Sequence, residues 1–407
     1  MGLELMAPRQ VLPAMAGGAP VREEFLVFGA PLIGEAEIAE VVDTLRSGWI
    51  GFGPKCLRLE REFAGYVGAA QAVSLGSCTA GLHLALVVAG VGPGDEVITT
   101  PLTFAATANV IEHVGARPVF VDVEEASQNI SPSAIEAAIT PRTKAIIPVH
   151  MAGRPCDMDA IGALAERHGL TVIEDAAHAV EGAWNGRKIG SISRFTVFSF
   201  YATKNLTTAE GGMLTTADAA GAERIRTLRL HGISKDAWKR YSAAGFTPYE
   251  TIEPGYKYNL TDLQASLGLH QLARIEENLG VRERLWRFYD AAFADLEAVE
   301  TPAPCAPEER HARHLYTLLL RPQRLRIDRQ RFIEALQAEN IGAGIHFVPV
   351  HLHAYYREKY GYRPGDFPQA EQVGARTVSL PLSAKLTERD AQDVADAVRK
   401  VVNYYGR

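Results

Sequence analysis

A lysine follows closely on a strongly apolar segment of the chain. The run "RFTVFSF" leads into "YATKN", which places Lys204 among small polar residues. Most lysines are solvated surface charges, and that is the plain alternative for this one. An amine held beside a core is desolvated instead, which lowers its pKa and makes it a nucleophile towards carbonyl carbons. We predict this catalytic role for Lys204.

Two acidic residues end another apolar run. "LTVIED" predicts a buried strand that ends in Glu174 and Asp175. Because successive side chains of a strand point to opposite faces, only one of the two can reach a given ligand. Ligands of parallel sheets bind beyond the carboxyl ends of the strands, so we predict that Asp175 faces a ligand. The alternative is that Asp175 only caps the following helix.

A phosphate site is indicated by "SLGSCTAGLHLAL", in which a strand ends and a helix begins at once. Free N–H groups and the positive end of a helix suit a phosphate, and hydroxyls such as that of Thr79 add donors. The alternative is that Ser77 or Thr79 is only an N-cap. Cys78 could also be an activated thiolate at this helix start, but the sequence places no histidine and acid beside it.

These signals together fit pyridoxal phosphate (PLP). That cofactor needs a lysine for an imine, an acid for its pyridine nitrogen and a cradle for its phosphate. Phe104, which follows another predicted strand, could stack on the pyridine ring, with a core aromatic as the alternative. "GVGPGDEV" precedes a strand and is interpreted as a turn, not a dinucleotide loop. We predict no metal, because no metal-binding motif is present.

Composition narrows the class of protein. The 407 residues are 47% hydrophobic and 22% charged, as in ordinary soluble enzymes. The formal net charge of −6 disfavours nucleic acid and anionic membranes as partners, and no apolar run approaches the roughly 20 residues of a membrane span. Residues 1–24 are expected to form a loose N-terminal arm, not a signal peptide. Four scattered cysteines indicate a reduced, cytoplasmic protein: Cys56, Cys78, Cys156 and Cys305.

Helical and strand patterns alternate from about residue 30 to 275. In "EAEIAEVVDTLRSG", apolar residues from Ile38 to Leu45 recur at helical spacing, and the helix should stop at Gly48. Short apolar strands between amphipathic helices predict an α/β fold with a largely parallel central sheet and helices on both faces. We assign residues 25–275 to this large, cofactor-binding domain.

A smaller C-terminal α+β domain is predicted over residues 276–407. A long helical segment at about 262–295 leads into it, and prolines such as Pro302 mark the loop that follows. Its predicted strands are "HLYTLLL", "GIHFVPV" and "TVSLPL". The last helix carries a capping signal at Thr387 and Asp390.

At these motifs the sequence resembles the DegT/StrS-type sugar aminotransferases, PLP enzymes of fold type I, which is the aspartate aminotransferase fold. The likeness covers nearly the whole chain and is carried by "SGWIGFGPK", "VIEDAAHAV", "FSFYATKN", "AEGG" and "GYKYNLTDLQA". It is nearest to the branch that transaminates UDP-4-keto sugars, represented by the UDP-4-amino-4-deoxy-L-arabinose aminotransferase. Gly51 and Phe52 replace threonines of that enzyme, and Phe104 stands where it has tryptophan, which leaves the sugar open.

The resemblance implies roles in holding the cofactor. Lys204 would bind its aldehyde, Asp175 its ring nitrogen and His178 its phenolic oxygen. The phosphate would be held by the backbone of Cys78 and the side chains of Thr79 and Ser199.

Further residues would connect subunits and substrate. The resemblance implies that Asn259 reaches the phosphate of the neighbouring subunit, which makes the protein a homodimer with shared active sites. Trp49 and His346 would bind the sugar, and a structural histidine is the alternative for His346.

The resemblance implies a cytoplasmic PLP-dependent aminotransferase. It would move an amino group from L-glutamate, which leaves as 2-oxoglutarate, to the keto carbon of a nucleotide-linked keto sugar, with the 4-position favoured. The cofactor would alternate between PLP and its amine form, PMP. The alternatives are a 3-keto sugar aminotransferase, a non-catalytic PLP-binding regulator and a nucleotide-sugar oxidoreductase. A further alternative is a dehydratase of the same family, but those enzymes have a histidine at the position of Lys204.

Overall fold

The structure is a computed structural model that describes residues 12–233 and 250–407. The first eleven residues of the predicted arm lie outside the described residues. The helices are α1 (Glu35–Ser47), α2 (Pro54–Val67), α3 (Cys78–Val88), α4 (Ala105–His113), α5 (Pro132–Ala138), α6 (Met158–His168), α7 (Ala219–Leu228), α8 (Asp262–Ala273), α9 (Ile275–Phe293), α10 (Arg329–Ala338), α11 (Ala354–Tyr360), α12 (Pro368–Arg376) and α13 (Glu388–Tyr405). The strands are β1 (Gln71–Leu75), β2 (Glu96–Thr99), β3 (Arg117–Phe120), β4 (Thr143–Ile147), β5 (Thr171–Asp175), β6 (Ala183–Trp184), β7 (Arg187–Lys188), β8 (Phe195–Ser199), β9 (Gly212–Thr216), β10 (Val299–Glu300), β11 (Glu309–Arg310), β12 (Tyr316–Leu320) and β13 (Thr377–Leu380).

The largest sheet has the strand order β1-β9-β8-β5-β4-β2-β3. Strand β9 pairs antiparallel with both β1 and β8, and the remaining pairs are parallel. Every strand except β9 therefore runs in the same direction, which confirms the predicted α/β fold with a largely parallel sheet. Because those strands share a direction, the segments that follow β1, β2, β5 and β8 meet at one end of the sheet.

Helices cover both faces of this sheet, as predicted. Along β8, Val197 belongs to a core shared with α3, α4 and α7, whereas Phe198 belongs to a core shared with α2, α6 and α8. This alternation follows from the two-residue period of a strand. Each face therefore has its own apolar core, and the strands between them are buried.

A second body of structure follows α8. The predicted long helix is two helices that meet at Arg274. Residues of α9, β12, α10, β13 and α13 form a separate apolar core, and β10, β12 and β13 make a three-stranded antiparallel sheet. The capping box of Thr387 and Asp390 starts α13.

The predicted strand "GIHFVPV" is wrong. Residues 344–349 form no strand and pair only through an isolated bridge between Gly344 and Ser379, and a short 3-10 helix, Val350–Leu352, follows. The alternating apolar residues Ile345 and Phe347 line a cavity and do not pack within a sheet. A short apolar run marks burial, and the wall of a cavity buries such residues as well as a sheet does.

Residues 12–24, expected to be loose, are anchored to the C-terminal core. The buried carboxylate of Glu339 accepts the N–H groups of Ala14 and Val21 at 2.7 and 2.9 Å and pairs with Lys400 at 2.8 Å. Arg22 pairs with acidic residues of α13. Hydrogen bonds from backbone N–H groups to a buried carboxylate fix the position of the segment that carries them, whatever the amino-acid composition of that segment.

Helix α1 begins and ends close to its predicted bounds, but its apolar stripe faces outward. Glu37 is fully buried, where it pairs with Arg274 and accepts a hydrogen bond from Gln271. Ile38 and Leu45, in contrast, are about half exposed. No helix of the described residues is both long and apolar enough to cross a lipid bilayer.

Candidate active site

A cavity of about 630 Å³ opens at the carboxyl end of the parallel strands, within the size range of small-molecule sites. Its walls come from the segments after β1, β2, β5 and β8 and from residues 345–347. The structure thus brings together most of the sequence-predicted site residues: Cys78, Thr79, Phe104, Asp175, His178, Ser199, Lys204 and His346.

Lys204 lies in the turn after β8, where its N–H donates to the carbonyl of Tyr201 at 2.9 Å. Its side chain is partly buried and lines the cavity. Burial lowers the pKa of Lys204 to about 8, although the nearby Asp175 carboxylate opposes the shift. Near neutral pH the uncharged fraction of this amine is larger than that of a surface lysine. The uncharged form is the one that attacks carbonyl carbons.

Asp175, the last residue of β5, is buried and faces the cavity. Thr107 donates its hydroxyl proton to one carboxylate oxygen at 2.7 Å, and the N–H of Ala177 donates to the other at 3.1 Å. Burial raises the pKa of Asp175, and these donors and the charge of Lys204 oppose the rise. A poorly solvated carboxylate of this kind is stabilised by a cation, such as a protonated ring nitrogen. Glu174 points away from the cavity, as the strand period predicts.

The N-terminus of α3 faces the same cavity. Ser77 is its N-cap, which leaves the N–H groups of Cys78 and Thr79 without acceptors inside the helix. Ser199 adds a hydroxyl from the end of β8. A Cβ on Gly212 would lie 2.7 Å from the backbone nitrogen of Cys78, so only glycine allows β9 to approach this helix start so closely. The donor set suits a phosphate.

Cys78 is not an activated thiolate. Burial, followed by the Asp175 carboxylate, raises the pKa of its thiol well above the usual value. The thiol lies 3.7 Å from the carbonyl oxygen of Val197. Its contribution to the site is therefore its backbone N–H at the start of α3.

Three histidines lie near Lys204: His178 and His314 are buried, and His346 is partly buried. Burial and the charge of Lys204 lower the pKa of His178 and His314 well below the usual value, and lower that of His346 to about 4. All three are therefore uncharged near neutral pH. The His178 ring lies 4.5 Å from that of His314 and 6.0 Å from that of Phe347, measured between centroids.

Aromatic side chains form the rim of the cavity. Phe104 is the N-cap of α4 and is 65% exposed, so it is not a core residue. Its ring centroid lies 6.2 Å from that of Phe347. Tyr201, also about half exposed, lines the cavity as well. Flat apolar faces of this kind suit a ring system or the C–H faces of a sugar.

The sequence analysis missed Thr107, Tyr201, His314 and Phe347. Thr107 lies in the first turn of α4, and its hydroxyl is 2.8 Å from that of Thr103, which precedes the helix. Its place shortly after the end of β2 was a usable signal for Thr107. No comparable local signal marks His314, which does not line the cavity but packs against His178 from the C-terminal part of the chain.

Two predicted site residues lie outside this cavity. Trp49 is about half exposed and donates its indole N–H to the carbonyl of Phe52 at 3.0 Å. Asn259 donates to the carbonyl of Leu260 at 2.9 Å, whereas its own side-chain oxygen is buried without a hydrogen-bond partner among the described residues. Neither side chain lines the cavity of its own chain.

The cavity fits the cofactor predicted from the sequence. A flat ring with one basic nitrogen, an aldehyde and a phosphate needs an acid, an amine and a cluster of N–H and hydroxyl donors. Asp175, Lys204 and the start of α3 provide these in one cavity. The described residues contain no group of three or more side chains suited to a metal ion.

Residues 31–399 match the model of the DegT/DnrJ/EryC1/StrS aminotransferase family. The chain is 55% identical over 383 residues to the uncharacterized protein MJ1066 of Methanocaldococcus jannaschii, covering 94% of this chain and 99% of that protein. It is 53% identical over 382 residues to the spore coat polysaccharide biosynthesis protein SpsC of Bacillus subtilis, covering 94% and 98%.

Solved structures agree with this assignment. The chain superposes on Spr1654 of Streptococcus pneumoniae, named as a sugar aminotransferase, with a TM-score of 0.87 and 36% identity, covering 93% of this chain and 98% of that one. That protein has been solved in a PMP form and in a PLP form.

Proposed function

Because the chain belongs to the DegT/DnrJ/EryC1/StrS aminotransferase family and its cofactor is PLP, we propose that it transfers an amino group from L-glutamate to a nucleotide-linked keto sugar. The position proposed for amination is carbon 4 of the sugar. The observation that carries the proposal is the single cavity that holds Lys204, Asp175 and the start of α3.

The bound cofactor supplies an aldehyde carbon that takes up an amine and a ring that accepts an electron pair. In this proposal Asp175 keeps the ring nitrogen protonated, and Thr107 and the N–H of Ala177 hold the carboxylate in place. The start of α3 and Ser199 would bind the phosphate, and His178 would donate to the phenolic oxygen. The rim residue Phe104, which lines the cavity, would pack on the ring.

Lys204 has two proposed roles. It would hold the cofactor at rest, because its amine is partly uncharged and therefore nucleophilic towards an aldehyde. During turnover, Nζ of Lys204 would take a proton from the donor's α-carbon as a base and return a proton as an acid. The same proton transfers in the opposite order would serve the keto sugar, which predicts ping-pong kinetics.

The rim of the cavity supports a sugar as the amino acceptor. Phe104, Tyr201 and Phe347 present flat apolar surfaces, and His346 adds a polar group held by Ser379, whose hydroxyl lies 2.8 Å from Nδ1. The relative SpsC is named for polysaccharide biosynthesis, and polysaccharides are built from activated sugars. A nucleotide-linked substrate is consistent with both observations.

We also propose a homodimer with shared active sites, located in the cytoplasm. Large apolar side chains that include Ile38, Leu45, Trp49 and Leu57 are about half exposed on and near α1, which is typical of an interaction surface. Trp49 and Asn259 lie outside their own cavity, so a partner's cavity is where they would act. The four cysteines are unpaired, which supports a reducing compartment.

An amine-transfer assay tests the proposed reaction. Purified holoenzyme with glutamate should convert a UDP-linked 4-keto sugar to the amino sugar and release 2-oxoglutarate. A panel of UDP-, GDP- and dTDP-linked 3- and 4-keto sugars identifies the sugar, the nucleotide and the carbon. Turnover only of 3-keto sugars would overturn the 4-position, and loss of water without amine transfer would favour a dehydratase.

The first half-reaction separates an enzyme from a regulator. Glutamate alone should convert the bound cofactor to PMP within one turnover. Lys204→Ala should lose the visible absorbance of the lysine-bound cofactor. An unchanged spectrum in this variant, or no conversion by the wild type with glutamate, would overturn the proposed chemistry.

A further inference from the structure

Three polar side chains on the wall of the cavity are joined in a row by hydrogen bonds. The Thr107 hydroxyl lies 2.7 Å from Oδ2 of Asp175, and the Thr103 hydroxyl lies 2.8 Å from that of Thr107. All three residues line the cavity. Each of them is nevertheless buried, with Thr107 fully enclosed. We call this row, Thr103–Thr107–Asp175, the hydroxyl chain.

The start of α4 brings the two threonines together. Phe104 is the N-cap of the helix, and the N–H of Thr107 donates to its carbonyl at 3.2 Å, which closes a turn around position 104. Thr103 lies just before this turn and Thr107 just after it. Asp175 comes from the end of β5, 68 positions further along the chain than Thr107. The hydroxyl chain therefore connects the segment after β2 to the acid of the site.

The number of protons determines the direction of the hydroxyl chain. Each hydroxyl has one hydrogen, and an ionised carboxylate only accepts hydrogen bonds. The hydrogen of Thr107 must therefore point to Asp175, so the oxygen of Thr107 accepts the hydrogen of Thr103. Among the residues that the structure describes, this contact is the only hydrogen bond of the Thr103 side chain. With Asp175 ionised, both hydroxyl hydrogens have an acceptor.

A proton on Asp175 would disturb these contacts. On Oδ2 it would reverse the hydroxyl chain and leave the Thr103 hydrogen without an acceptor, and buried donors without acceptors are rare. On Oδ1 it would compete with the N–H of Ala177, which donates there at 3.1 Å. The Cys78 thiol, 3.9 Å from Oδ1, also carries a hydrogen. Donors on both oxygens stabilise the charged carboxylate more than the neutral acid.

The groups around Asp175 differ in how they act on its charge. Burial raises the pKa of Asp175, and the Thr107 hydroxyl opposes that rise most, ahead of the N–H of Ala177 and the charges of Lys204 and His150. Lys204 stays charged over the acid range in which a carboxylate titrates, because its own pKa is about 8. A change in the hydroxyl chain should therefore be visible in the titration of Asp175.

We propose that Thr103 and Thr107 are positioning residues, whose hydroxyl chain keeps the Asp175 carboxylate ionised and fixes its orientation in the cavity. Thr103 acts only through Thr107, because no hydrogen bond joins it to Asp175. The use of this carboxylate rests on the proposed function, in which Asp175 meets a protonated ring nitrogen. The hydroxyl chain itself belongs to the protein alone and can be measured without any cofactor.

Titration of the apoenzyme tests the hydroxyl chain. Aspartate labelled with 13C at the side-chain carboxyl reports each pKa by NMR, and Asp175→Asn identifies the signal of Asp175. In Thr107→Val the pKa of Asp175 should rise by about one unit, the equivalent of one charged hydrogen bond. In Thr103→Val it should rise by about 0.3 unit, since one hydroxyl strengthens the next only in part. Thr107→Ser keeps the donor and should titrate like the wild type.

A double variant and a control make the titration specific. Thr103→Val should add nothing once Thr107→Val is present, because its connection to Asp175 is already broken. Thr203→Val changes an exposed threonine of the same cavity and should leave the titration of Asp175 unchanged. If Thr103→Val raised the pKa of Asp175 equally with and without Thr107→Val, it would act through packing, and the inference would be overturned.

Holoenzyme that contains 15N-labelled cofactor provides a second readout. A carboxylate that has lost a donor is a stronger base, so it competes better for the proton of the ring nitrogen. The 15N signal of that nitrogen should shift towards the unprotonated form in Thr107→Val and by less in Thr103→Val. Thr107→Ser should keep the wild-type signal.

The outcomes separate this inference from the proposed function. A pKa of Asp175 that is unchanged in Thr107→Val, or raised as much in Thr107→Ser, would overturn the inference. If the pKa values follow the predicted order but glutamate does not convert the cofactor, the hydroxyl chain stands and the proposed function fails. If Thr107→Val does not fold, Thr103→Val and Thr107→Ser decide: a rise only in the first supports the inference, and no rise in the first overturns it.

Discussion

Glu174 and Asp175 are consecutive residues of β5 whose carboxylates meet opposite sides of the sheet. Asp175 faces the cavity. Glu174 is fully buried behind it, within 2.8 Å of His150 Nε2 and of the Thr196 hydroxyl. Burial alone would raise the pKa of Glu174, but His150 and the other donors outweigh it and lower that pKa. Two adjacent acids therefore have separate surroundings, one inside the core and one facing the cavity.

This relationship predicts opposite effects of two neighbouring substitutions. Asp175→Asn keeps the hydrogen bond from Thr107 but removes the charge, so the glutamate half-reaction should slow by at least about a hundredfold with little loss of stability. Glu174→Gln should cost about 2 kcal/mol in the free energy of unfolding, since it weakens a buried charged hydrogen bond, with little effect on the rate per folded molecule. Stopped-flow absorbance measures the rate of the glutamate half-reaction, and urea unfolding measures the free energy of unfolding. Equal effects of both variants on the rate would contradict the assignment.

The apoenzyme should be more stable with methionine at position 204. Folding depresses the pKa of Lys204 from 10.5 to about 8, so the unfolded chain binds more protons between those values. Stability due to this group therefore rises with pH from about 8 to 10.5 and is lowest below 8. Lys204→Met should raise the free energy of unfolding at pH 7 by at most about 3 kcal/mol, because the cavity partly solvates the amine.

The control for this prediction is the pH dependence itself. The difference between wild type and Lys204→Met should shrink as the pH rises towards 10.5. Urea unfolding of both apoproteins at a series of pH values measures it. A difference that is the same at every pH would mean that packing, not the charge of Lys204, accounts for the effect.

Leu45→Glu should separate the subunits. The side chain lies on the outward stripe of α1, where a dimer would bury the new charge without a partner. Self-association should weaken by at least about a hundredfold, since an unpaired buried charge costs several kcal/mol. Analytical ultracentrifugation measures the effect, and transaminase activity should fall with the dimer fraction. Lys385→Glu, an exposed change elsewhere, is the control; an active monomer of Leu45→Glu would contradict shared sites.

Glu339→Gln should release the N-terminal segment. The carboxylate holds two backbone N–H groups and Lys400 from a fully buried position. Its loss should cost about 2 to 4 kcal/mol in the free energy of unfolding and expose the bond after Arg22 to trypsin. Limited proteolysis with mass spectrometry identifies the cleavage. Glu334→Gln, on the exposed side of α10, should show neither effect.

Local patterns predicted most of the fold and the first set of site residues. The alternation of strand and helix periods indicated the parallel sheet, and a parallel sheet places its strand ends together. Asp175, at the end of a strand, and Thr79, at the helix start that follows another strand, could be placed in one site on that basis, whereas Ser199 was predicted only from the family resemblance. A short apolar run could not distinguish a strand from a cavity wall, which is why "GIHFVPV" was assigned incorrectly.

The sequence by itself determined which residue types stand at the strand ends, since that depends only on residues close in the chain. Tertiary structure alone decided that His314 lies beside His178, that Glu339 orders the N-terminal segment, and that α1 turns its charged face inward. Each of these depends on contacts between residues far apart in sequence. The desolvation that lowers the pKa of Lys204 likewise depends on how completely distant segments enclose it.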